Sequence, residues 1–278
     1  MINKLVQVSK NIAYGACLGI ANIIPGVSGG TMAVILGIYS KLIHAIGNFF
    51  SDRKNRKQYF GFLTQIAIGA GISIIVFSRL ISFLLKNAPH PTFFFFMGLI
   101  MGSIPIIFKS CPNLKLSISN SISFIVAFGL IILLSSFNHS LDTSFHFTAV
   151  TAKEILTLFV SGFLAAGAMV IPGISGSFIL LLLGCYGTII QAVSEFNLPI
   201  IFYVAAGAVP GLLFITKIID ISIRKYPTQI TSAILGLIIA SFYPLWPGFT
   251  FDLSSLMSVF VFVIGVFLAT ILSKKPGT

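Results

Sequence analysis

The stretch Ala21-Asn22-Ile23-Ile24-Pro25-Gly26-Val27-Ser28-Gly29-Gly30-Thr31 decides how this chain folds. It lies between two apolar runs, where one continuous helix would otherwise form. Pro25 removes a backbone donor and Gly26 frees the dihedrals, so a helix stops here and another begins. The phrase returns as Ala168-Met169-Val170-Ile171-Pro172-Gly173-Ile174-Ser175-Gly176-Ser177. A Pro-Gly break followed by Ser-Gly, used twice in apolar surroundings, is costly and calls for a reason.

The surroundings are those of a membrane protein. The 278 residues are 56% hydrophobic and 8% charged, with a mean hydropathy of +1.05. A soluble domain carries about 25% charged residues. The composition therefore predicts an all-α polytopic membrane protein. The net charge of +11 comes from too few residues to make a nucleic-acid patch, and it reads as topology instead. Cys17, Cys111 and Cys185 are scattered, with no CxxC and no histidine at ligand spacing, so no metal site or cofactor is expected. Lys4 and Lys10 before a short apolar run imitate a signal peptide, but that run holds half of the repeated phrase, so it is expected to stay.

The repeat extends well beyond the phrase. Shifted by 147, residues 15–47 fall on 162–194 with 12 of 33 positions identical, Gly37 and Tyr39 among them. Chance would give roughly three in so apolar a chain. The register then changes to 138, so that Arg79 meets Lys217, Lys86 meets Arg224 and Pro89 meets Pro227. The chain reads as two inverted repeats, 1–140 and 141–278, a common plan of secondary transporters. Each copy is expected to be a re-entrant helical hairpin around the Pro-Gly break (12–46 and 153–193) followed by three transmembrane helices. The hairpin segments are expected at 12–24 and 27–46, then 153–171 and 174–193. The spans are expected at 60–86, 92–109 and 118–137, then 198–219, 229–246 and 254–273. The 13 residues of 12–24 would make about 20 Å of helix, too short to cross about 30 Å of hydrocarbon.

Charge supports this arrangement. One face then carries Lys4, Lys10, Arg53, Lys54, Arg56, Lys57, Lys109, Lys115, Arg224, Lys225, Lys274 and Lys275, and the positive-inside rule makes it cytoplasmic, with both termini. Three spans per copy is an odd number, so the first hairpin dips from the cytoplasm and the second from outside.

Irregular backbone at membrane depth is tolerated where it lines a cavity or is buried in protein. A helix starting after Pro-Gly offers free N–H groups, and glycines let an anion approach them. The candidate anion site is Asn22, Gly26, Val27, Ser28, Gly29, Gly30 and Thr31 with Gly173, Ile174, Ser175, Gly176 and Ser177. The alternative for the same residues is tight helix packing. Arg79, inside a predicted span, and its repeat mate Lys217 are candidates to receive the anion from either side. Glu154 and Glu195 flank the second hairpin and are candidates for proton or cation coupling. The four histidines, His44, His90, His139 and His146, sit near segment ends or in loops, away from the repeated phrase.

The phrase Gly19-x-Ala21-Asn22-x-Ile24-Pro25-Gly26-Val27-Ser28-Gly29-Gly30-Thr31 with Gly37-Ile38-Tyr39 resembles the signature of the bacterial undecaprenyl-phosphate translocase family. Ile171-Pro172-Gly173-Ile174-Ser175-Gly176-Ser177 and Gly98-x-x-x-Gly102-Ser103-x-Pro105 resemble it too. The resemblance implies a transporter in the bacterial inner membrane, not an enzyme. Its substrate would be undecaprenyl phosphate, the polyprenyl-phosphate carrier of cell-wall precursors, returned from the outer to the inner leaflet. A family acid expected after the tyrosine is replaced here by Ser40-Lys41, which disfavours coupling through that position. A transporter of small soluble anions and a lipid phosphatase are the alternatives.

Overall fold

The computed structural model describes residues 2–23, 28–111, 113–115, 117–136, 151–248 and 253–272. Gly26 and Val27, two of the expected site residues, lie outside the described residues, as does most of the loop holding His139 and His146. The described chain is helical, with no strand: α1 (Ile2–Ile23), α2 (Gly29–Ile35), α3 (Tyr39–Gly47), α4 (Arg56–Asn87), α5 (Pro89–Ser110), α6 (Ile118–Ser136), α7 (Ala152–Met169), α8 (Gly176–Leu182), α9 (Tyr186–Ser194), α10 (Leu198–Lys225), α11 (Pro227–Ala240), α12 (Phe242–Leu245) and α13 (Leu253–Leu272). By length and hydropathy α4, α6, α7, α10 and Pro227–Leu245 can cross a membrane, and α8 with α9 makes a sixth if that bent pair counts as one span. The protein is an all-α polytopic membrane protein.

Two expected boundaries are corrected. The first segment does not start near residue 12: α1 is 22 residues long, about 33 Å of helix. Its first two and a half turns carry Asn3, Lys4, Gln7, Ser9 and Lys10, which hide it from a hydropathy reading but do not stop helix formation. By length alone, α1 can cross about 30 Å of hydrocarbon. Nor is 27–46 one helix. It breaks again at Gly37, whose φ of +68° ends α2 in the left-handed region, and 174–193 breaks at Gly184, φ +69°. Between α8 and α9 the axis turns by 120°.

The helices pack through glycine. A Cβ at Gly15 would lie 2.1 Å from the Ile66 carbonyl oxygen, and one at Gly19 would lie 2.5 Å from that of Ala70. The contacts advance in the same direction along both chains, so α1 and α4 run parallel. Gly162, Gly207 and Gly211 set α7 against α10 in the same way, meeting Val204, Phe159 and Phe163. Gly98 and Gly102 meet Phe262 and Val266, which makes α5 and α13 parallel, while Gly236 seats α11 on Phe124 of α6. With no hydrophobic drive between helices in lipid, such close backbone approach supplies the packing energy.

Candidate functional site

The second break folds under the first. Ser28 caps α2, accepting the Thr31 N–H at 3.1 Å. The Ser28 and Thr31 hydroxyls lie 2.9 Å apart. Into this pair points the Gly173 N–H, 3.1 Å from Ser28 Oγ and 2.8 Å from Thr31 Oγ1. Gly173 can do so because its φ is +82°, a conformation costing a side chain strain. Gly30 completes the contact: a Cβ there would lie 2.8 Å from the Val170 carbonyl oxygen. Thus Ser28, Gly30, Thr31 and Gly173 come together from opposite halves of the sequence, in the interior of a membrane protein.

The tips are not equivalent. Ser28 and Thr31 are 2% and 1% exposed, whereas Ser177 is exposed and Ser175 half-buried. Ser175 caps α8 by accepting the Phe178 N–H at 3.2 Å, and its hydroxyl lies 3.3 Å from that of Ser177. Together with Ser135 and Pro244 they line an open cavity of about 150 Å³, which Gly173 and Ile174 also border. On the first tip Asn22 Oδ1 accepts the Gly29 N–H at 3.2 Å. Gly176 sits close under Ala165, where a Cβ would lie 2.9 Å from the carbonyl oxygen. Both helices after the breaks have only seven residues, so their dipoles are small, and the polar character of the tips comes from hydroxyls and individual N–H groups.

The other expected residues lie apart from this cluster. Arg79 is exposed on α4, with no hydrogen bond or ion pair among the described residues. Lys217 reaches across to the first half, its Nζ 2.5 Å from Asn48 Oδ1 and 3.5 Å from Ser51 Oγ. Glu154 closes a capping box with Thr151 at the start of α7, and Glu195, exposed at the end of α9, accepts from Gln191 Nε2 at 2.9 Å. Both acids are committed to helix ends.

Beside the first tip runs an apolar groove of about 480 Å³. Cys17, Ile20 and Met32 line it together with Phe77, Leu84 and Phe95. A polar break and a neighbouring apolar groove are what an amphiphile with an anionic head would need. Residues 18–258 match the VCA0040-like family, described as undecaprenyl phosphate translocase-like.

The chain belongs to that family.

The polyprenyl-phosphate transporter of Staphylococcus aureus is 34% identical over 273 residues, 95% of each chain. That of Vibrio cholerae serotype O1 is 31% identical over 260 residues, 89% of this chain and 80% of the relative. No solved structure matches significantly. Membership in the translocase-like family places the chain among transporters, not enzymes.

One cluster in this translocase-like chain escapes the sequence reading. Asp220, 4% exposed on α10, sits against His44 and Asn48. Its signal was partly available: an acid one residue past the expected span 198–219, three residues after Lys217 and four before Arg224, becomes a functional candidate once α10 runs on to Lys225. His44 gave no signal, because its partner is 176 residues away.

Proposed function

We propose that the protein returns undecaprenyl phosphate from the outer to the inner leaflet of the bacterial inner membrane, for reuse as the carrier of cell-wall precursors. The two breaks hold the phosphate head while two inverted repeats, 1–140 and 141–278, rock about it. The observation that carries this reading is the meeting of the tips: a backbone N–H of one rests on two hydroxyls of the other. An anionic head that took over the Gly173 N–H would separate the tips and replace that bond with a stronger, charge-assisted one. The apolar groove beside Met32 favours a lipid over a soluble anion, since the tail needs an apolar path and the head alone needs a polar one.

The halves match in their packing. The parallel pair α1–α4 corresponds to α7–α10, and α5–α13 to α11–α6. One seam breaks the match. α3 packs along α10, whereas among the described residues α9 has no comparable packing on α4. With the basic loop at 53–57 facing the cytoplasm, the closed seam is cytoplasmic and the open Ser135–Ser175–Ser177 cavity faces outward. On this reading Arg79 meets the incoming head, and Lys217 receives it after the seam parts.

A phosphate monoester carries about −1.5 to −2 near neutral pH. Moving it inward against an inside-negative potential costs about 2.3 kcal/mol per charge per 100 mV. A co-moving proton or cation, or consumption of the lipid inside, must offset this. The test is leaflet exchange of labelled polyprenyl phosphate in reconstituted vesicles. The Ser28→Ala, Ser175→Ala double variant is expected to slow exchange by about tenfold or more, the worth of one hydrogen bond to a charged group. Unchanged exchange in the double variant would remove the tips from the site, and wild-type vesicles that carry inorganic phosphate but exchange no polyprenyl phosphate would end the lipid reading.

A further inference from the structure

The α3–α10 seam holds a hydrogen-bonded chain that the tips do not use. Asp220 Oδ1 lies 3.0 Å from His44 Nδ1, and Oδ2 accepts from Asn48 Nδ2 at 2.7 Å and from Arg224 one turn along α10. On the far side of the ring, His44 Nε2 lies 3.2 Å from the Tyr59 hydroxyl, which donates to Asp52 Oδ2 at 2.9 Å. Asp220, His44, Tyr59 and Asp52 thus run in unbroken order from a buried carboxylate to one on the loop before α4.

One assignment of protons fits the contacts of this chain: Asn48 Nδ2, which also lies 3.1 Å from His44 Nδ1, spends its two hydrogens on the His44 carbonyl and Asp220 Oδ2. Tyr59 has a single hydroxyl proton. With that proton given to Asp52, the Tyr59 oxygen must accept from Nε2–H. Asp220, an acceptor when ionised, takes Nδ1–H. Both ring nitrogens then donate, which only the imidazolium does. Histidine is also the side chain whose charge changes between about pH 5 and 8.

The charges around the ring are accounted for. Asp220 and Asp52 are the acids that face it. Lys217, held on Asn48 Oδ1, and Arg224, held on Asp220, are the bases beside them. Lys41, on the same helix as His44, is turned to the Phe62 ring, and Arg56 bonds the Phe49 and Phe50 carbonyls. In the repeat register His44 corresponds to Gln191 and Asp220 to Ser82, so the equivalent positions hold no titratable pair.

We propose that His44 is a proton-binding site on the closing seam, with Asp220 as its counter-charge and Tyr59–Asp52 as its route to water. To discharge, the Nε2 proton passes to the Tyr59 oxygen as the Tyr59 hydroxyl proton passes to the Asp52 carboxylate, which then releases it to water. His44 is left neutral, and the ion pair across the seam becomes a hydrogen bond from a neutral donor to the Asp220 carboxylate. Asp220 is not stranded, because Arg224 on its own helix still pairs with it. A protonated seam is therefore held more tightly, and a discharged one, left with Asn48 on Asp220 and Lys217 on Asn48, parts more readily, which presupposes the rocking of the two halves proposed above.

The test reads the seam first and transport second. Spin labels at Lys41→Cys and Lys225→Cys, in the full chain freed of its own three cysteines, report the α3–α10 separation without lipid. Raising the pH from about 5 to about 8 is expected to widen the distance distribution, and His44→Gln or Asp220→Asn is expected to abolish that response. Tyr59→Phe is expected to keep the response and slow its onset after a pH jump. A wild-type distribution that ignores pH, or a response that survives in both His44→Gln and Asp220→Asn, would overturn the site. Because no lipid is present, a seam that responds while polyprenyl phosphate fails to exchange would refute the transport reading and leave the proton site standing.

Discussion

At the scale of single residues, two left-handed glycines separate backbone strain from packing. Gly37 and Gly173 have φ of +68° and +82°. A Cβ at Gly37 would meet nothing within 4 Å, whereas at Gly173 it would lie 2.9 Å from the Leu237 carbonyl oxygen, next to the bond that joins the tips. Gly37→Ala should cost only the left-handed strain, about 1–2 kcal/mol. Gly173→Ala should cost that and also push the Gly173 N–H off Ser28 and Thr31. Thermal unfolding in detergent should rank Gly173→Ala well below Gly37→Ala, and equal losses would mean that the tip contact contributes nothing. The two serine caps offer a second comparison. Each cap is worth about 1 kcal/mol to its helix. Ser28→Ala also removes one acceptor of the Gly173 N–H, so it should destabilise more than Ser175→Ala, as the same unfolding assay would show.

At the scale of elements, glycine decides which helices can touch. Gly15 and Gly162 hold equivalent places in α1 and α7, each with a carbonyl oxygen 2.1 Å from where a Cβ would be. Gly15→Val and Gly162→Val should each part a parallel pair and sharply reduce folded protein on size-exclusion chromatography. Gly129 in α6 has open space around it, and Gly129→Ala should be neutral or stabilising by up to about 1 kcal/mol through helix propensity. The loop before α4 makes a pH prediction. Hydrogen bonds from the Asn55 side chain, the Tyr59 hydroxyl and the Asn55 N–H hold the Asp52 carboxyl below its ordinary pKa. A lowered folded pKa gives loop stability that is complete above the ordinary carboxylate value and lost as pH falls through the folded one. Titrating Asp52 by NMR should therefore show no change near neutrality, so a neutral-range response of the seam belongs to another group. The Pro-Gly breaks were legible because proline and glycine act locally, whatever surrounds them. The second breaks were not, since a lone Gly37 or Gly184 in an apolar run is as compatible with a continuous helix. The full length of α1 was hidden because hydropathy reports affinity for lipid, and its polar first turns are helical without being apolar. The Asp220–His44 contact was hidden because nothing local marks a pairing across 176 residues.

At the scale of the whole molecule, the duplicated pattern makes its own exceptions informative. Two halves with matched helix pairs should have matched seams, yet only α3–α10 is closed among the described residues, and Ser28 and Thr31 of the first tip are buried where Ser175 and Ser177 of the second are not. Symmetry exchange between the halves would open α3–α10, close α9 on α4, bury Ser175 and Ser177, and expose Ser28 and Thr31. Under the alternating access proposed above, that exchanged arrangement would be the inward-facing state, reached without new elements. It can be blocked at one place. Asn48 and Asp220 approach to 2.7 Å across the closed seam. An Asn48→Cys, Asp220→Cys pair, in a chain lacking Cys17, Cys111 and Cys185, should be bridged by a short bifunctional thiol reagent. The bridged protein should still bind polyprenyl phosphate presented from the outer leaflet but should deliver none to the inner one, and cleaving the bridge should restore the rate of the unbridged double variant. Delivery that continues through a fully bridged seam would mean that the head passes without the halves parting there, by a fixed groove along the surface, and the asymmetry between the two seams would then be a matter of packing alone.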